Sequence, residues 1–206
     1  MRTSRIRSIG PGDLDQLPAC SGGCPDASLL ADDGWIKPTM ERFGTLGVRL
    51  VDHEMSVGHL LLAAPDTRPV QGIWSTTALS HDAALVIMVR VVDHERGHGI
   101  GRQLVQSAAA QAVRGRVAAI EAIGSYGAGT CTTPAVTWLR RTGFQVIRNH
   151  PLTPRLRLDL RSTLPLPRLR QALAALQNLV RPYPPEPVGR SEPAQRLDGD
   201  HIEARS

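Results

Sequence analysis

An almost unbroken apolar run that leads through a glycine-rich turn into a helix pattern constrains this chain more than any other stretch. Residues 83–92 read Ala-Ala-Leu-Val-Ile-Met-Val-Arg-Val-Val, which is typical of a strand buried on both faces. Arg96-Gly97-His98-Gly99-Ile100-Gly101 follows, and apolar residues then recur at helical spacing from Gln103 to Val113. A glycine turn that opens a helix points unpaired backbone N–H groups at one spot, where the helix dipole adds positive character. The sequence therefore predicts a phosphate or pyrophosphate site at this turn.

The patterns on either side predict an α+β fold, with a mostly antiparallel sheet, a βαβ unit at its centre and a closing β-hairpin. Glycine and proline mark the turns, and strands are distinguished from helices by an apolar period of two rather than 3.6. Asp13 and Thr133 are predicted N-caps, Pro134 a first helical residue and Gly115 a C-cap glycine. The expected strands are 5–9, 46–51, 55–64, 83–92, 117–123, 144–148 and 155–161, and the expected helices are 13–17, 35–43, 103–114, 134–141 and 166–180.

The chain divides into one domain with an extension. The 206 residues are enough for a single domain with a real core, which we place at 1–162. Residues 163–181 form a predicted C-terminal helix. Residues 182–206 are rich in proline and charge, which predicts a disordered tail.

Composition excludes several classes of protein. No apolar run is long enough to span a bilayer, and the basic N-terminus lacks the apolar segment of a signal peptide, so we expect a cytoplasmic protein with no membrane partner. The net charge of +5 raises the question of nucleic acid. Only one modest arginine cluster is present, over residues 155–170, and aromatic residues make up 3% of the chain, so base stacking has little support. A homodimer is left open.

The three cysteines do not predict a disulfide framework. Cys20 and Cys24 have the short spacing of half a zinc site, but a second pair of ligands is missing. We therefore expect two reduced thiols in an N-terminal loop and no metal.

Three families of phosphate-binding glycine turn can be compared with residues 96–101. The P-loop requires Lys followed by Ser or Thr after its last glycine, and Arg102-Gln103 follow here. The dinucleotide fingerprint requires G-x-G-x-x-G after the first strand of a domain, whereas this chain has G-x-G-x-G after its fourth. A third pattern, [RQ]-x-x-G-x-[GA], matches at every defined position.

With that motif in a strand–turn–helix context, and with a later helix that ends in Gly143-Phe144, the chain resembles the GCN5-related N-acetyltransferase (GNAT) superfamily. The resemblance spans about residues 5–160, is specific over 85–145, and extends to actinobacterial members of the superfamily. It implies acetyl-CoA as the acyl donor. The backbone N–H groups of Gly97, His98, Gly99, Ile100, Gly101 and Arg102 would hold the pyrophosphate, with Arg96 contacting phosphate or bracing the loop. Backbone groups of Val89 and Val91 would pair with the pantetheine arm and the thioester carbonyl.

Acetyl transfer to an amine requires a base, for which Glu121 is the leading candidate because it is a lone carboxylate in an apolar strand. The alternative is that Glu121 pairs with an arginine at the strand end. Weaker candidates for the base are Glu41, Glu54, His94 and His150.

The acid is less well defined. Many members of the superfamily carry a tyrosine where this chain has Leu139, so Tyr126 and Cys131 are considered as substitutes, and the low pKa of a thiol leaves open that no acid is needed. Asp93 stands where proline is usual.

The predicted function is acetyl-CoA-dependent N-acetylation of an amine on a small molecule or a protein. A non-catalytic acetyl-CoA-binding module of the same fold is the alternative, and nucleic-acid binding through Arg155–Arg170 is a remote one. The acceptor is not specified by any motif.

Overall fold

The computed structural model describes residues 4–19, 33–65, 67 and 80–160. Seven strands form one sheet: β1 (Arg5–Ile9), β2 (Gly47–Asp52), β3 (Met55–Ala63), β4 (Ala83–Val91), β5 (Ala119–Ile123), β6 (Gln145–Arg148) and β7 (Arg155–Asp159). The helices are α1 (Ile36–Phe43), α2 (Ile100–Arg114) and α3 (Val136–Arg141), with short 3-10 helices at Pro11–Gln16, Asp33–Trp35 and Asp93–Glu95. Each predicted strand within the described residues is present, with ends that shift by one or two residues.

The strand order is β1-β2-β3-β4-β5-β7-β6, and β4 with β5 is the one parallel pair among them. The two strands are joined by α2, which gives the predicted βαβ unit. Strand β7 returns antiparallel beside β5, with β6 on its outer side, so the predicted closing hairpin is confirmed. The mixed, mostly antiparallel α+β sheet is therefore the fold that the sequence predicts.

The sheet has a core on each face, because buried side chains alternate along the strands. Helix α2 covers the first face, called the helix face here, by packing Leu104 and Ala108 against Val86, Ile120 and other aliphatic side chains. On the opposite face, called the second face, a smaller cluster contains Trp35, Leu61 and Leu85. Few aromatic residues take part, so Leu, Val, Ile and Ala supply most of the buried surface.

Three helices begin at other residues than predicted. Helix α2 begins at Ile100 rather than Gln103. Asp13 does not begin its helix, which starts at Pro11; the Asp13 carboxylate instead accepts a hydrogen bond from the Gly10 N–H (2.8 Å). Helix α3 begins at Val136 with Ala135 as N-cap, not at Thr133 and Pro134. A short parallel bridge between Ser125 and Ala135 holds the preceding residues extended, because the Ser125 N–H donates to the Pro134 carbonyl (2.9 Å).

Gly115 caps α2 as predicted, but it is not the left-handed residue of the turn. Its φ is −74°, and the left-handed conformation falls on Arg116 (φ 58°). The glycine is required by packing, because a Cβ at position 115 would overlap the Phe43 ring of α1.

Several predictions lie outside the described residues. These are Cys20 and Cys24, most of the 65–82 loop, the helix at 163–181 and the tail at 182–206.

Candidate functional site

The central parallel pair separates partway along its length. Strands β4 and β5 are paired from Ala83 to Leu85 on one strand and from Ala119 to Glu121 on the other, and β4 then continues to Val91 without β5. A cleft of about 760 Å³ lies along this free edge. Its walls are the end of β4, the glycine turn, the start of α2, the 129–135 segment and Trp138.

The glycine turn has the backbone conformation that its sequence predicts. Gly97 (φ 83°) and Gly99 (φ 81°) are both left-handed, a conformation that glycine adopts without steric cost. Gly99 is the N-cap of α2, and its carbonyl accepts the first helical hydrogen bond, from the Gln103 N–H (3.1 Å). The N–H groups of the first helical turn therefore have no partner within the helix and point toward the cleft mouth. Open space surrounds the positions where Gly97 and Gly99 would carry a Cβ, so an anion can approach the backbone closely.

Gly101 is required for a different reason. An added Cβ would lie 2.9 Å from Cζ2 of Trp138, so the absence of a side chain lets α3 approach the start of α2. Trp138 in turn lines the cleft. The third glycine of the motif thus sets the width of the cleft at its helix end.

Arg96 braces the turn. Its guanidinium forms an ion pair with Asp93 (2.8 Å), and its Nε donates to the Val91 carbonyl (3.3 Å). Because 64% of its side chain is exposed at the cleft mouth, it can also reach a phosphate there. His98 lies close to Glu95, with its Nδ1 3.3 Å from the Glu95 carbonyl oxygen and 3.8 Å from the carboxylate.

The backbone of Val89 and Val91 faces the cleft. A bulge at Ile87 shifts the β3–β4 register, after which the Val89 N–H turns away from β3 and donates to the Cys131 carbonyl (2.8 Å). The Val91 carbonyl faces the same way, toward Arg96. A pantetheine arm along this edge would therefore compete with the Cys131 carbonyl for the Val89 N–H.

Cys131 is disulfide-bonded, although the sequence predicts no disulfide framework. Its sulfur carries no proton in that state, so Cys131 is excluded as the general acid. The other cysteines of the sequence, Cys20 and Cys24, are outside the described residues.

Glu121 lies at the last position of β5 that pairs with β4, and it is not among the described residues that line the cleft. Its side chain is 1% exposed and belongs to the second face, since its neighbours Ile120 and Ala122 pack on the helix face. The carboxylate contacts Arg157 (3.3 Å) and Arg155 (3.6 Å). The predicted alternative, pairing with arginine, is therefore present in the structure.

Arg157 connects this pair to the surface. It also binds Asp82 and Asp159 (2.8 Å each). The pKa of its guanidinium is raised above the ordinary value, mainly by the hydrogen bond to Asp82 and further by the hydrogen bond to Asp159. Desolvation by burial acts in the opposite direction. Arg155 and Arg157, the described members of the arginine cluster, are thus engaged by carboxylates.

The remaining candidates are dispersed. Tyr126 is 54% exposed and its hydroxyl donates to Asn149 (3.4 Å), while Leu139 is buried in the helix-face core. Glu54 lies in the β2–β3 turn beside Arg5, and Nδ1 of His150 accepts hydrogen bonds from the backbone of its own turn. Glu41 is exposed on α1 and His94 is exposed in the Asp93–Glu95 turn.

Sequence reasoning missed three buried polar residues in or beside the cleft. Arg90 and Glu95 line it, with 8% and 7% exposure, and His59 is the register partner of Arg90 on β3, with 1% exposure. Nε2 of His59 lies 3.2 Å from the Met88 sulfur. Burial, followed by the charge of Arg90, lowers the pKa of His59 to about 4, so its imidazole is neutral at pH 7. Arg90 interrupts the apolar run of β4, and that interruption was the available sequence signal.

Within the described ranges, no group of three or more His, Cys, Asp or Glu side chains is placed to hold a metal ion. In the same part of the chain, no helix has the length and apolar character needed to cross a membrane.

Comparison with protein-family models and with curated proteins finds no match. Solved structures do match. A GNAT-like decarboxylase, GphF, in complex with isobutyryl-CoA aligns at 17% identity with a TM-score of 0.54, over 76% of this chain and 100% of that one. A GNAT family acetyltransferase from Brucella melitensis in complex with acetyl-CoA aligns at 16% identity with a TM-score of 0.51, over 80% and 93%.

A third structure, the PaiA N-acetyltransferase from Thermoplasma acidophilum in complex with coenzyme A, aligns at 10% identity with a TM-score of 0.52, over 76% and 99%. The chain has the GNAT fold. At these identities the similarity extends to the fold alone, and the activities of those proteins, which include a decarboxylase, are not assigned to this chain.

Proposed function

We propose that this protein is an acetyl-CoA-dependent N-acyltransferase that acts on an amine of a small molecule or a protein. The observation that carries the proposal is the glycine turn: two left-handed glycines lead into the N-terminus of α2 at the mouth of the cleft beside the end of β4. Unpaired N–H groups and the helix dipole at that point suit a pyrophosphate. The fold adds support, since solved proteins that share it hold CoA, acetyl-CoA and isobutyryl-CoA.

In this proposal, the backbone of residues 97–102 binds the pyrophosphate, Arg96 braces the turn or contacts phosphate, and the free edge of β4 orients the arm of the donor. The Val89 N–H would donate to the thioester carbonyl once the Cys131 carbonyl leaves it. A hydrogen bond that strengthens as the carbonyl oxygen becomes negative lowers the barrier to attack.

The chemistry to be performed is simple in outline. The amine nitrogen forms a C–N bond with the acetyl carbon, the C–S bond breaks, CoA leaves as a thiolate and the amine loses a proton to a base. Glu121 remains the predicted base, supported by its position where the strands separate and by its place on the second face.

A non-catalytic acetyl-CoA-binding module is the second candidate. Two observations favour it: the apolar, buried Leu139 occupies the position where many members of the superfamily carry a tyrosine, and the Val89 N–H is already bonded to Cys131. Such a module would bind acetyl-CoA without releasing thiol in the presence of any amine.

Calorimetry with acetyl-CoA, compared with adenosine alone, tests the donor site. We expect acetyl-CoA to bind and the Gly99→Asp variant to lose detectable binding, because a carboxylate would occupy the space meant for phosphate in a backbone conformation that aspartate rarely adopts. Gly12→Asp is the matched control, since open space surrounds that glycine and it lies in the 3-10 helix after β1. Equal affinity of Gly99→Asp and wild type would refute the assigned turn.

A Glu121→Gln variant tests the base. If Glu121 accepts the amine proton, thiol release should fall about 100-fold or more with the affinity for acetyl-CoA unchanged. Asp82→Asn is the control, because it removes another carboxylate from Arg157 without touching Glu121. Full turnover by Glu121→Gln across the pH range would assign Glu121 to the ion-pair network alone.

A further inference from the structure

A row of basic side chains crosses the second face of the sheet. Cross-strand pairing places Arg7 beside Arg49, Arg49 beside His59 and His59 beside Arg90. Register partners of an antiparallel sheet project from the same face, so the four side chains form one row from β1 to β4. The row ends at the strand that borders the cleft.

The members of this row differ in their partners. Arg7 lies 3.8 Å from Glu54, and Arg49 forms an ion pair with Asp13 at 2.8 Å. In the part of the chain that the structure describes, the guanidinium of Arg90 makes no hydrogen bond or ion pair, and its buried Nε has no partner. His59 is neutral at pH 7 and does not compete with Arg90 for an anion.

A buried cation without a partner is unfavourable, because desolvation is not offset by an opposing charge. Only 8% of the surface of Arg90 is exposed. A ligand that brings a carboxylate or phosphate would supply the missing partner, and the planar guanidinium can hold either group through two parallel hydrogen bonds.

The position of Arg90 indicates which of the two substrates, donor or acceptor, would carry the carboxylate or phosphate. Arg90 lies between Val89 and Val91 and lines the cleft, while the side chains of those valines pack on the helix face. The glycine turn and Trp138 border the cleft on the helix face, where the donor would lie. In the proposed transfer, the amine would reach the thioester carbonyl from the second face, which is the side of Arg90.

We propose that Arg90 determines acceptor specificity by binding an anionic group, a carboxylate or a phosphate, on the amine acceptor. This inference rests on the proposed acetyl transfer. It narrows the acceptor class to amines that carry an oxyanion close to the reacting nitrogen.

Matched pairs of small amines test the proposal. β-Alanine against β-alaninamide examines the carboxylate, and phosphoethanolamine against ethanolamine examines the phosphate. Binding is measured on the acetyl-CoA-free and the CoA-loaded protein by NMR, following the Nε–H signal of Arg90, which is assigned by its loss in Arg90→Gln. Thiol release with acetyl-CoA is measured for the same pairs. Arg148→Gln is the control, because it removes one exposed charge from β6.

We expect at least one anionic amine to bind ~10-fold or more tightly than its neutral counterpart, consistent with a charge-assisted pair. Arg90→Gln should reduce that preference to less than ~3-fold, Arg90→Lys should keep part of it, and Arg148→Gln should keep all of it. The pair of amines that shows the larger preference identifies the anion as a carboxylate or a phosphate. Acetyl-CoA affinity should be unchanged in all three variants.

Two results would overturn the proposal. One is a wild-type protein that binds neither anionic amine better than its neutral counterpart, and the other is a preference that survives in Arg90→Gln. Absence of acetyl-CoA binding, with anion binding at Arg90 retained, would instead overturn the proposed function and the acceptor role of Arg90, leaving an anion site. Folding is checked by melting temperature, which should not fall in Arg90→Gln because an unpaired buried charge has been removed.

Discussion

His59 is a buried side chain whose protonation opposes folding. Its pKa is lowered from 6.5 to about 4 by burial and by the charge of Arg90. The unfolded chain therefore binds a proton between pH 6.5 and 4 that the folded protein does not, so stability is present above pH 6.5 and is lost as the pH falls toward 4. The pKa difference corresponds to about 3 kcal/mol of unfolding free energy across that window.

Urea unfolding of wild type and His59→Gln at pH 7 and pH 4.5 measures this effect. We expect the difference in unfolding free energy between the two proteins to shift by about 2–3 kcal/mol in favour of the variant at the lower pH. Taking the difference cancels the carboxylates, which titrate in both proteins. Parallel pH dependence would show that His59 titrates normally in the folded state.

The sequence predicts the backbone conformation of some residues better than it predicts the burial or the partners of others. The conformation of Gly97 and Gly99 is predictable because a left-handed φ is a local property of the residue and the sequence fixes their distance from the helix. The burial of Arg90 is not predictable in this way, because it depends on strand β3, where its register partner His59 lies 31 residues earlier in the sequence. The bond from Val89 to Cys131 is also non-local, and so is the pairing of Glu121 with Arg157.

At the scale of the elements, the contact between α1 and α2 is sensitive to one added methyl group. Gly115 has φ −74° and ψ 4°, which alanine adopts without strain, so Gly115→Ala adds only a Cβ that overlaps the Phe43 ring. We expect the unfolding free energy to fall by about 1–3 kcal/mol, as for other overpacked sites.

Phe43→Leu should recover part of that loss in the double variant, because the smaller side chain leaves room for the methyl group. Gly12→Ala is the control, with open space at the new Cβ and an expected change within about 0.5 kcal/mol. Chemical unfolding of the four proteins gives the comparison. Equal stability of Gly115→Ala and Gly12→Ala would mean that α1 shifts away at no cost.

Helix ends were harder to predict than helix bodies. Thr133 and Pro134 have the residue types of a helix start, yet α3 begins at Val136 because the backbone of Ser125 pairs with residues 134 and 136. Gly115 caps α2 as predicted, and the structure adds that it leaves room for the Phe43 ring. At the start of α3, a tertiary contact overrode a local preference that the sequence expressed correctly.

On the scale of the whole molecule, alternating and buried apolar patterns predicted the strands, and the βαβ unit followed from their order. The separation of β4 from β5 beyond Leu85 and Glu121 could not be predicted from either strand, because apolar residues directly follow that point in both. The 125–135 segment enters the gap through the Cys131 carbonyl, a contact that depends on the assembled sheet. The cleft therefore becomes visible only in the folded structure, while its proposed anion-binding end can be predicted from the glycine motif.

A ligand that binds only the folded protein must raise its melting temperature, so the donor site can be tested on the intact molecule. At a concentration of acetyl-CoA 100 times its Kd, the stabilisation is about 2.7 kcal/mol. For a domain of this size that corresponds to a shift of about 5–10 °C. Gly99→Asp should show no shift and Gly12→Asp the wild-type shift. Because a non-catalytic module would show the same shift, the melting experiment tests acetyl-CoA binding, and thiol release then separates an enzyme from a module.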